Sequence, residues 1–446
     1  MTKKFDTIVI GTGSAASSVA SRCRSAGWRV AVIDSRPFGG TCALRGCDPK
    51  KVLVGAAEAV DWVRRMKGKG IRAEEIRIDW QQLMRFKRSF TEPVPKNREE
   101  GFAKAGIATF HGRARFVGPS SLQVNEEVLE GRYVVIAGGQ KPADLKIAGT
   151  EYLTTSEQFL ELDELPKRIL FVGGGYIAFE FAHVAVRAGA QVTIAHRGSR
   201  PLPRFEPDLV DQLVKSSREL GVDVQLGTEV IGVEKGSGQL AVRASASGQQ
   251  RAFDANAAGR VPEIDDMNLD AAGVAWDGRG VKVNEFLQSV SNAAVYAAGD
   301  AAASGGPPLT PVASYEGIIV AANLLKGNSR KPNYLGIPTV VFAIPPLAGV
   351  GLSESEARNH ALKFKVKKEM TSDWYSSRRI AEKYSAFKVL VEEGTDRILG
   401  AHLLGIGAEE VINLFGVAMR SGMRATDLKH MLYAYPTRGS DVPSMV

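Results

Sequence analysis

Cysteine is scarce. The 446-residue chain has 3, too few to staple a protein of this length, so any disulfide in it is chemical rather than architectural. Long apolar runs are missing as well. None approaches the ~18 residues that carry a helix across a bilayer. Met1-Thr2-Lys3-Lys4 leads straight into the strand-like Phe5–Ile10, which leaves no room for the apolar core of a signal peptide. A soluble protein of the reducing cytoplasm, with no membrane partner, is therefore expected. There is no short-period repeat and no low-complexity tract. Hydrophobic residues at 44% and charged residues at 24% match globular averages, which excludes intrinsic disorder and a collagen-like chain.

Glycine is the residue in excess. Its 47 copies make up roughly a tenth of the chain where ~7% is usual, a mark of many tight turns and close backbone approaches. At ~150 residues per domain the length suggests about three domains. Lys and Arg number 57 against 49 Asp and Glu, for a formal charge of +8. That balance suits nucleic acid, a membrane surface or anionic small ligands, and composition alone does not choose among them.

One pattern occurs twice: a β-branched strand, a glycine cluster, a helical stretch and a second strand. The first copy is Phe5–Ile10, Gly11-Thr12-Gly13-Ser14-Ala15-Ala16, a helix to about Ala26, then Val30–Ile33. Gly11 allows the turn, and Gly13 lets backbone approach a pyrophosphate held at the helix N-terminus. Asp34 ends the next strand, where a carboxylate can hold an adenosine ribose hydroxyl. The second copy is Ile169–Val172, Gly173-Gly174-Gly175-Tyr176-Ile177-Ala178, a helix to about Ala188, then Val192–Ala195. There the strand runs into His196 and Arg197, with Arg200 and Arg204 beyond and no acid before Glu206. Cations at that position bind a 2′-phosphate that a carboxylate would repel, so NADPH is expected over NADH. The last hundred or so residues alternate strand-like Thr339–Ala343, Phe387–Glu392 and Ile398–Leu404 with helical Ser353–Ala361 and Ala408–Gly422, an α+β pattern.

Between the two glycine turns lies Gly39-Gly40-Thr41-Cys42-Ala43-Leu44-Arg45-Gly46-Cys47-Asp48-Pro49-Lys50-Lys51. Two cysteines at this spacing can close a local disulfide. Pro49 sits where a helix would start, so Cys47 lies at a helix N-terminus beside Lys50, where a thiolate is stabilised. The competing reading is half of a zinc site, and no second cysteine pair completes it, so no resident metal is expected. Cys23, on the first helix, reads as a small buried hydrophobe. Val295-Tyr296-Ala297-Ala298-Gly299-Asp300 is a strand ending in Gly-Asp, which alone reads equally as a mere turn or as the second polar anchor that a dinucleotide longer than NAD needs.

Together these residues resemble the FAD-dependent pyridine nucleotide–disulfide oxidoreductases, the family of glutathione reductase, dihydrolipoamide dehydrogenase and mercuric reductase. The likeness extends through Ile136-Ala137-Gly138-Gly139, Ala258-Gly259-Arg260-Val261-Pro262, Leu309-Thr310-Pro311-Val312-Ala313, Ile337–Phe342, Ile398–His402 and Pro436-Thr437. It implies an α/β protein with two Rossmann-like dinucleotide-binding domains, for FAD and NADPH, and a C-terminal α+β dimerisation domain. The segments are then 1–145 (FAD domain, first part), 146–262 (NADPH domain), 263–330 (FAD and central domain) and 331–446 (interface domain). Gly11, Gly13, Ser14, Ala15, Asp34, Thr41, Lys50, Ala114, Gly138, Asp300 and Thr310 are implied as the FAD site. Gly173, Gly174, Gly175, Tyr176, Ile177, Glu180, His196, Arg197, Arg204 and Gly259 are implied for NADPH. Tyr176 resembles the ring that covers the flavin, and Lys50 and Glu180 the ion pair beside flavin N5. Hydride passes from NADPH to the flavin in this family, and electrons leave into the cysteine pair. Cys47 corresponds to the flavin-side thiolate and Cys42 to the interchange thiol that attacks substrate.

Two departures bear on the oxidised small-molecule substrate. Disulfide-reducing members carry a His before Pro-Thr, supplied by the partner subunit of a homodimer, and a Glu four positions after the proline. Here those positions hold Tyr435 and Ser440, with Asp441 one place late and His430 five residues before Tyr435. A phenol of ordinary pKa ~10 is poorly matched to taking a proton from a thiol of ~8.5. Mercuric reductases share a Tyr here, but the sequence has no cysteine after Cys47 and so lacks their C-terminal pair. The first expectation is reduction of a small disulfide. The alternatives are a mercuric reductase-like reductase of metal ions, quinones or other non-thiol oxidants, and a flavin-bound redox sensor. Nothing calls for nucleic acid.

Overall fold

A computed structural model of the chain describes residues 2–236, 240–245, 251–253 and 259–446. Ala258, in the run that ends at Pro262, lies outside them. Contacts gather into two compact units: Met1–Lys50 with Arg85–Ala143 and Arg260–Asn333, and Lys51–Met84 with Asp144–Gly259 and Tyr334–Val446.

The first unit is built on β1 (Lys3–Ile10), whose second half is continuously buried, as a central parallel strand requires. It is followed by α1 (Ser14–Ser25), which turns Ala15, Ala16, Val19, Ala20 and Cys23 inward, the helical periodicity of a single apolar face. The chain returns as β2 (Val30–Asp34), parallel to β1 with Ile10 opposite Ile33. Strand Glu127–Ile136 pairs parallel on the other edge of β1, and Ala108–His111 lies beyond β2. The far edge of Glu127–Ile136 serves two partners. Its first residues pair antiparallel with Ser121–Val124, and its last pair parallel with Val295–Ala297. Strand Val295–Ala297 thus delivers Gly299 and Asp300 to the same end of the sheet as the glycine turn after β1.

In the second unit Arg168–Val172, Gln191–His196 and Val222–Leu226 form a parallel sheet, with helix Tyr176–Arg187 between the first two. Strands Thr339–Val341, Leu347–Gly351, Ile398–Leu404, Ala386–Glu392 and Phe364–Met370 form an antiparallel sheet in that order. Helix Ala408–Ser421 closes one face with Val411, Ile412, Phe415, Ala418 and Met419. The expected α/β architecture with a C-terminal α+β region is borne out. One unit holds the second glycine turn and the C-terminal sheet because helix Tyr176–Arg187 is tied to the segment after Val341. Glu180 Oε1 accepts the Phe342 N–H at 2.9 Å, His183 Nδ1 accepts the Ile344 N–H at 3.0 Å, and Arg187 donates to the Ile344 carbonyl at 3.3 Å. A buried Lys388 reinforces the join, 2.8 Å from Glu206, 2.9 Å from Asp208 and 3.1 Å from Glu354.

Candidate active site

The turn after β1 is shaped for an anion. At Gly11, with φ of 108°, an added Cβ would lie 2.3 Å from the Ala137 carbonyl oxygen. Gly13 caps α1 without a side-chain hydrogen bond, and no acid occupies the first turn, so the N–H groups at that end keep their capacity for a phosphate. Gly40 crosses it so closely that a Cβ there would be 2.5 Å from the Gly13 Cα. Thr12 fixes the acid at the end of β2. Its hydroxyl donates to Asp34 Oδ2 at 2.6 Å and accepts the Gly39 N–H at 3.0 Å, while the Arg36 N–H reaches Asp34 Oδ1 at 3.0 Å. Across the sheet, the Gly299 N–H donates to Glu316 Oε2 at 2.7 Å and the Ser304 hydroxyl to Glu316 Oε1 at 2.6 Å. That pair of bonds braces the turn carrying Asp300, whose carboxyl is raised by burial against the pull of Arg260. Ala114 is buried at the start of a short strand, Ala114–Phe116, and Gly138 lies against Met267 and Glu263. An uncapped helix start, the Asp34 carboxylate at the end of β2 and a second acid at the same end of the sheet fit FAD.

The cysteine loop leaves this turn. A short helix, α2 (Gly40–Arg45), carries Thr41 and Cys42, and α3 (Cys47–Met66) begins at Cys47 itself, two residues before Pro49. Cys23, Cys42 and Cys47 are all free thiols. Cys47 Sγ lies 3.5 Å from the Thr310 hydroxyl, at the first position of helix Thr310–Lys326, and Cys42 Sγ donates to Asp48 Oδ1 at 3.8 Å. The Cys42 hydrogen bond holds Cys47 down at about 6, against desolvation and with help from Thr310 and Lys50. The same bond raises Cys42, and burial and the charges of Cys47 and Asp48 raise it further. At neutral pH the pair holds a thiolate at Cys47 and a proton at Cys42. Cys23 is buried and pushed up to about 12, which leaves it inert.

In the second unit the Gly173 N–H donates to the Ala195 carbonyl at 2.8 Å and the Gly174 N–H to His196 Nδ1 at 3.1 Å. His196 Nε2 is 2.9 Å from the Arg200 carbonyl. Both ring nitrogens are thus engaged by backbone, Nδ1 accepting from Gly174. Leu202, at φ of 50°, donates its N–H back to the Gly174 carbonyl at 2.9 Å. His196 is therefore a latch that fastens the basic loop to the glycine turn, and it leaves Arg197, Arg200 and Arg204 exposed. Gly175 caps helix Tyr176–Arg187 with no side-chain bond and no acid in the first turn, again a start that fits a phosphate. Tyr176 is exposed on that first turn, Ile177 is half-buried, and Gly259 is exposed at the far end of the segment. Glu180 is buried, holding Phe342. Lys50 belongs to the first unit and Glu180 to the second.

Near the C-terminus Tyr435 is 80% exposed and Leu432 97%. The turn that presents Tyr435 is held by a hydrogen-bond network. Arg438 donates to Ser377 at 2.9 Å and Ser376 at 3.2 Å, and pairs with Glu382. Burial raises Glu382 to about 7, with Arg438 opposing. Asp441 accepts from the Ser376 hydroxyl at 2.5 Å, and Ser440 donates to the Thr437 carbonyl at 2.6 Å, so both serve the turn.

Sequence reasoning passed over Thr12, Glu316 and Asp48. Thr12 had a signal, being the central residue of the glycine turn. Glu316 had none, since its role depends on a helix meeting a strand end. Asp48, an acid beside the thiols, was visible in the run itself. Among the described residues no helix is long and apolar enough to cross a membrane, and no cluster of three or more His, Cys, Asp or Glu could hold a metal ion.

Residues 5–317 match the pyridine nucleotide-disulphide oxidoreductase family, and residues 337–445 match that family's dimerisation domain. Glutathione reductase of Burkholderia cepacia is 31% identical over 97% of this chain and 96% of its own. Mercuric reductase of Staphylococcus aureus is 31% identical over 97% of this chain and 80% of its own. The solved Cu(II) complex of the HOCl-induced flavoprotein disulfide reductase RclA from Escherichia coli superposes with a TM-score of 0.89 at 27% identity, over 100% of this chain and 99% of that one.

Proposed function

The chain belongs to the pyridine nucleotide-disulphide oxidoreductases, flavin-dependent enzymes that use FAD and NAD(P)H, and we propose that it draws electrons from NADPH and delivers them through Cys42 and Cys47 to a small oxidised substrate. The carrying observation is the placement of the pair, with Cys47 at the start of α3 3.5 Å from the Thr310 hydroxyl and Cys42 bonded to Asp48; Cys47 is correspondingly held down and Cys42 raised. Bound FAD supplies the two-electron relay between nicotinamide and dithiol. The chain's own part is to hold it: the start of α1 with Gly11, Gly13, Ser14 and Ala15 takes the pyrophosphate, and Asp34, oriented by Thr12, takes the ribose. Asp300 takes the ribityl chain, with Thr41, Ala114, Gly138 and Thr310 along the way. Gly173, Gly174 and Gly175 with the start of helix Tyr176–Arg187 take the NADPH pyrophosphate. Arg197 and Arg204, on the loop that His196 latches, take the 2′-phosphate. The roles that the family resemblance gives to Lys50, Tyr176, Ile177, Glu180 and Gly259 belong to the same proposal, as does the division at 145, 262 and 330.

Cys42 is then the thiol that meets the oxidant, and the first reading is a small disulfide. A second reading, reduction of metal ions, is favoured by Tyr435, which stands exposed where disulfide reductases carry an imidazole base. It is also favoured by the likeness to mercuric reductase and to the copper-bound RclA. The proposed assembly is a homodimer in the cytoplasm, each Tyr435 turn completing the partner's site. The test is anaerobic titration of the flavin-loaded protein with NADPH and, separately, NADH. A long-wavelength absorbance that grows with NADPH and vanishes in Cys47→Ser is expected. Reduced flavin without that absorbance would defeat the dithiol route.

A further inference from the structure

We propose that Asp48 selects the charge of the oxidant, favouring cationic acceptors at Cys42 and disfavouring anionic ones. The inference rests on the reading that Cys42 and Cys47 deliver the electrons. Asp48 Oδ1 is the hydrogen-bond acceptor of the Cys42 thiol at 3.8 Å, and its carboxylate is exposed on the first turn of α3. The two cysteines see different surroundings. Asp48 acts on both thiols, but at Cys47 Lys50 opposes it, whereas the charges acting on Cys42, the Cys47 thiolate and Asp48, are both negative. An oxidant that reaches Cys42 therefore meets the exposed Asp48 carboxylate beside it.

The magnitude follows from Coulomb's law. A unit charge ~6 Å from Asp48 changes its encounter with Cys42 by about 3-fold at the dielectric constant of water, and by more in a drier site. A monocation and a monoanion therefore differ by about tenfold on account of Asp48 alone. Two kinds of oxidant share the cationic chemistry, soft metal cations and disulfides bearing ammonium groups. In both cases the Cys42 thiol and Cys47 thiolate become the Cys42–Cys47 disulfide, releasing two electrons and one proton. One dication takes both electrons, or two take one each, and the proton leaves to solvent. A disulfide takes both electrons, that proton and one more from solvent, and departs as two thiols.

The experiment uses the flavin-loaded protein and its Asp48→Asn and Asp48→Glu variants. In a Cys47→Ser background, where buried Cys23 is the other thiol, Cys42 is modified with a cationic and an anionic methanethiosulfonate of similar size. The cation-to-anion rate ratio is expected to fall about tenfold in Asp48→Asn and to return in Asp48→Glu. With Cys47 intact, NADPH-driven turnover is compared for cystamine, 2-hydroxyethyl disulfide, 3,3′-dithiodipropionate and Cu(II). The expected order is cation over neutral over anion, compressed in Asp48→Asn. Turnover of cystamine or of Cu(II) identifies the cation source, and either supports the inference. An unchanged rate ratio in Asp48→Asn, or an equal change for all reagents, overturns it. Failure of NADPH to drive any turnover overturns the underlying reading instead, because the modification ratio is measured without NADPH.

Discussion

Replacing Thr310 with Val removes one hydroxyl from the dithiol and leaves the helix start otherwise filled. Thr310 Oγ1 lies 3.5 Å from Cys47 Sγ, and its hydrogen bond helps hold Cys47 at about 6. A hydrogen bond to a charged group is worth ~1.5–3 kcal/mol. A long contact to sulfur, at a cysteine that solvent reaches, retains about 1 kcal/mol of that or less. At 1.36 kcal/mol per pKa unit, Thr310→Val should raise the Cys47 midpoint by ~0.5–0.7 unit. The sign is upward, because the lost donor stabilised the thiolate. At pH 7 the thiolate fraction should drop from about nine-tenths to between about two-thirds and three-quarters. Iodoacetamide alkylation of the reduced protein across the acid-to-alkaline range, followed peptide by peptide in a mass spectrometer, reads Cys47 apart from Cys42 and Cys23. A wild-type midpoint near the ordinary thiol value of ~8.5, or one that Thr310→Val leaves in place, would refute the reasoning.

Other substitutions report on the rest of the site. Gly11→Ala puts a Cβ 2.3 Å from the Ala137 oxygen at a φ of 108°, so the purified variant should carry little flavin, read as the ratio of flavin to protein absorbance. Arg197→Glu with Arg204→Glu should lower kcat/KM for NADPH by on the order of 100-fold, from two lost charge-assisted bonds, while NADH is spared. Tyr435→His should raise turnover of small disulfides at neutral pH by restoring a base of suitable pKa, and steady-state rates with 2-hydroxyethyl disulfide check it. Arg438→Met strips the partner from Glu382, whose side chain is 3% exposed. It should cost about 3 kcal/mol, seen as a lower thermal midpoint and faster proteolysis around Tyr435.

Local chemistry made much of this legible from the residues alone. Both glycine turns are strand–turn–helix units whose residues are adjacent in the chain, and Ile398–Leu404 is a strand over the expected residues. The start of α3 differs because Cys47 and Asp48 already adopt helical geometry, placing Pro49 inside the first turn, where a missing N–H is tolerated. In the sequence His196 is one cation among several, yet both its ring nitrogens are committed to the backbone of Gly174 and Arg200. Residue type alone does not tell a latch from a ligand. Glu180 bonding Phe342, and Glu316 bracing Gly299, depend on elements brought together by the fold, and no spacing in the chain encodes them.

The central claim is that electrons from NADPH arrive on Cys42 and Cys47. Its most direct test is to oxidise the flavin-loaded protein, add NADPH without oxygen, quench with an alkylating reagent and count labelled cysteines by peptide mass. The account predicts that both Cys42 and Cys47 become labelled only after NADPH, with Cys23 unlabelled throughout. A protein whose flavin is reduced while the labelling of Cys42 and Cys47 stays as it was would contradict it.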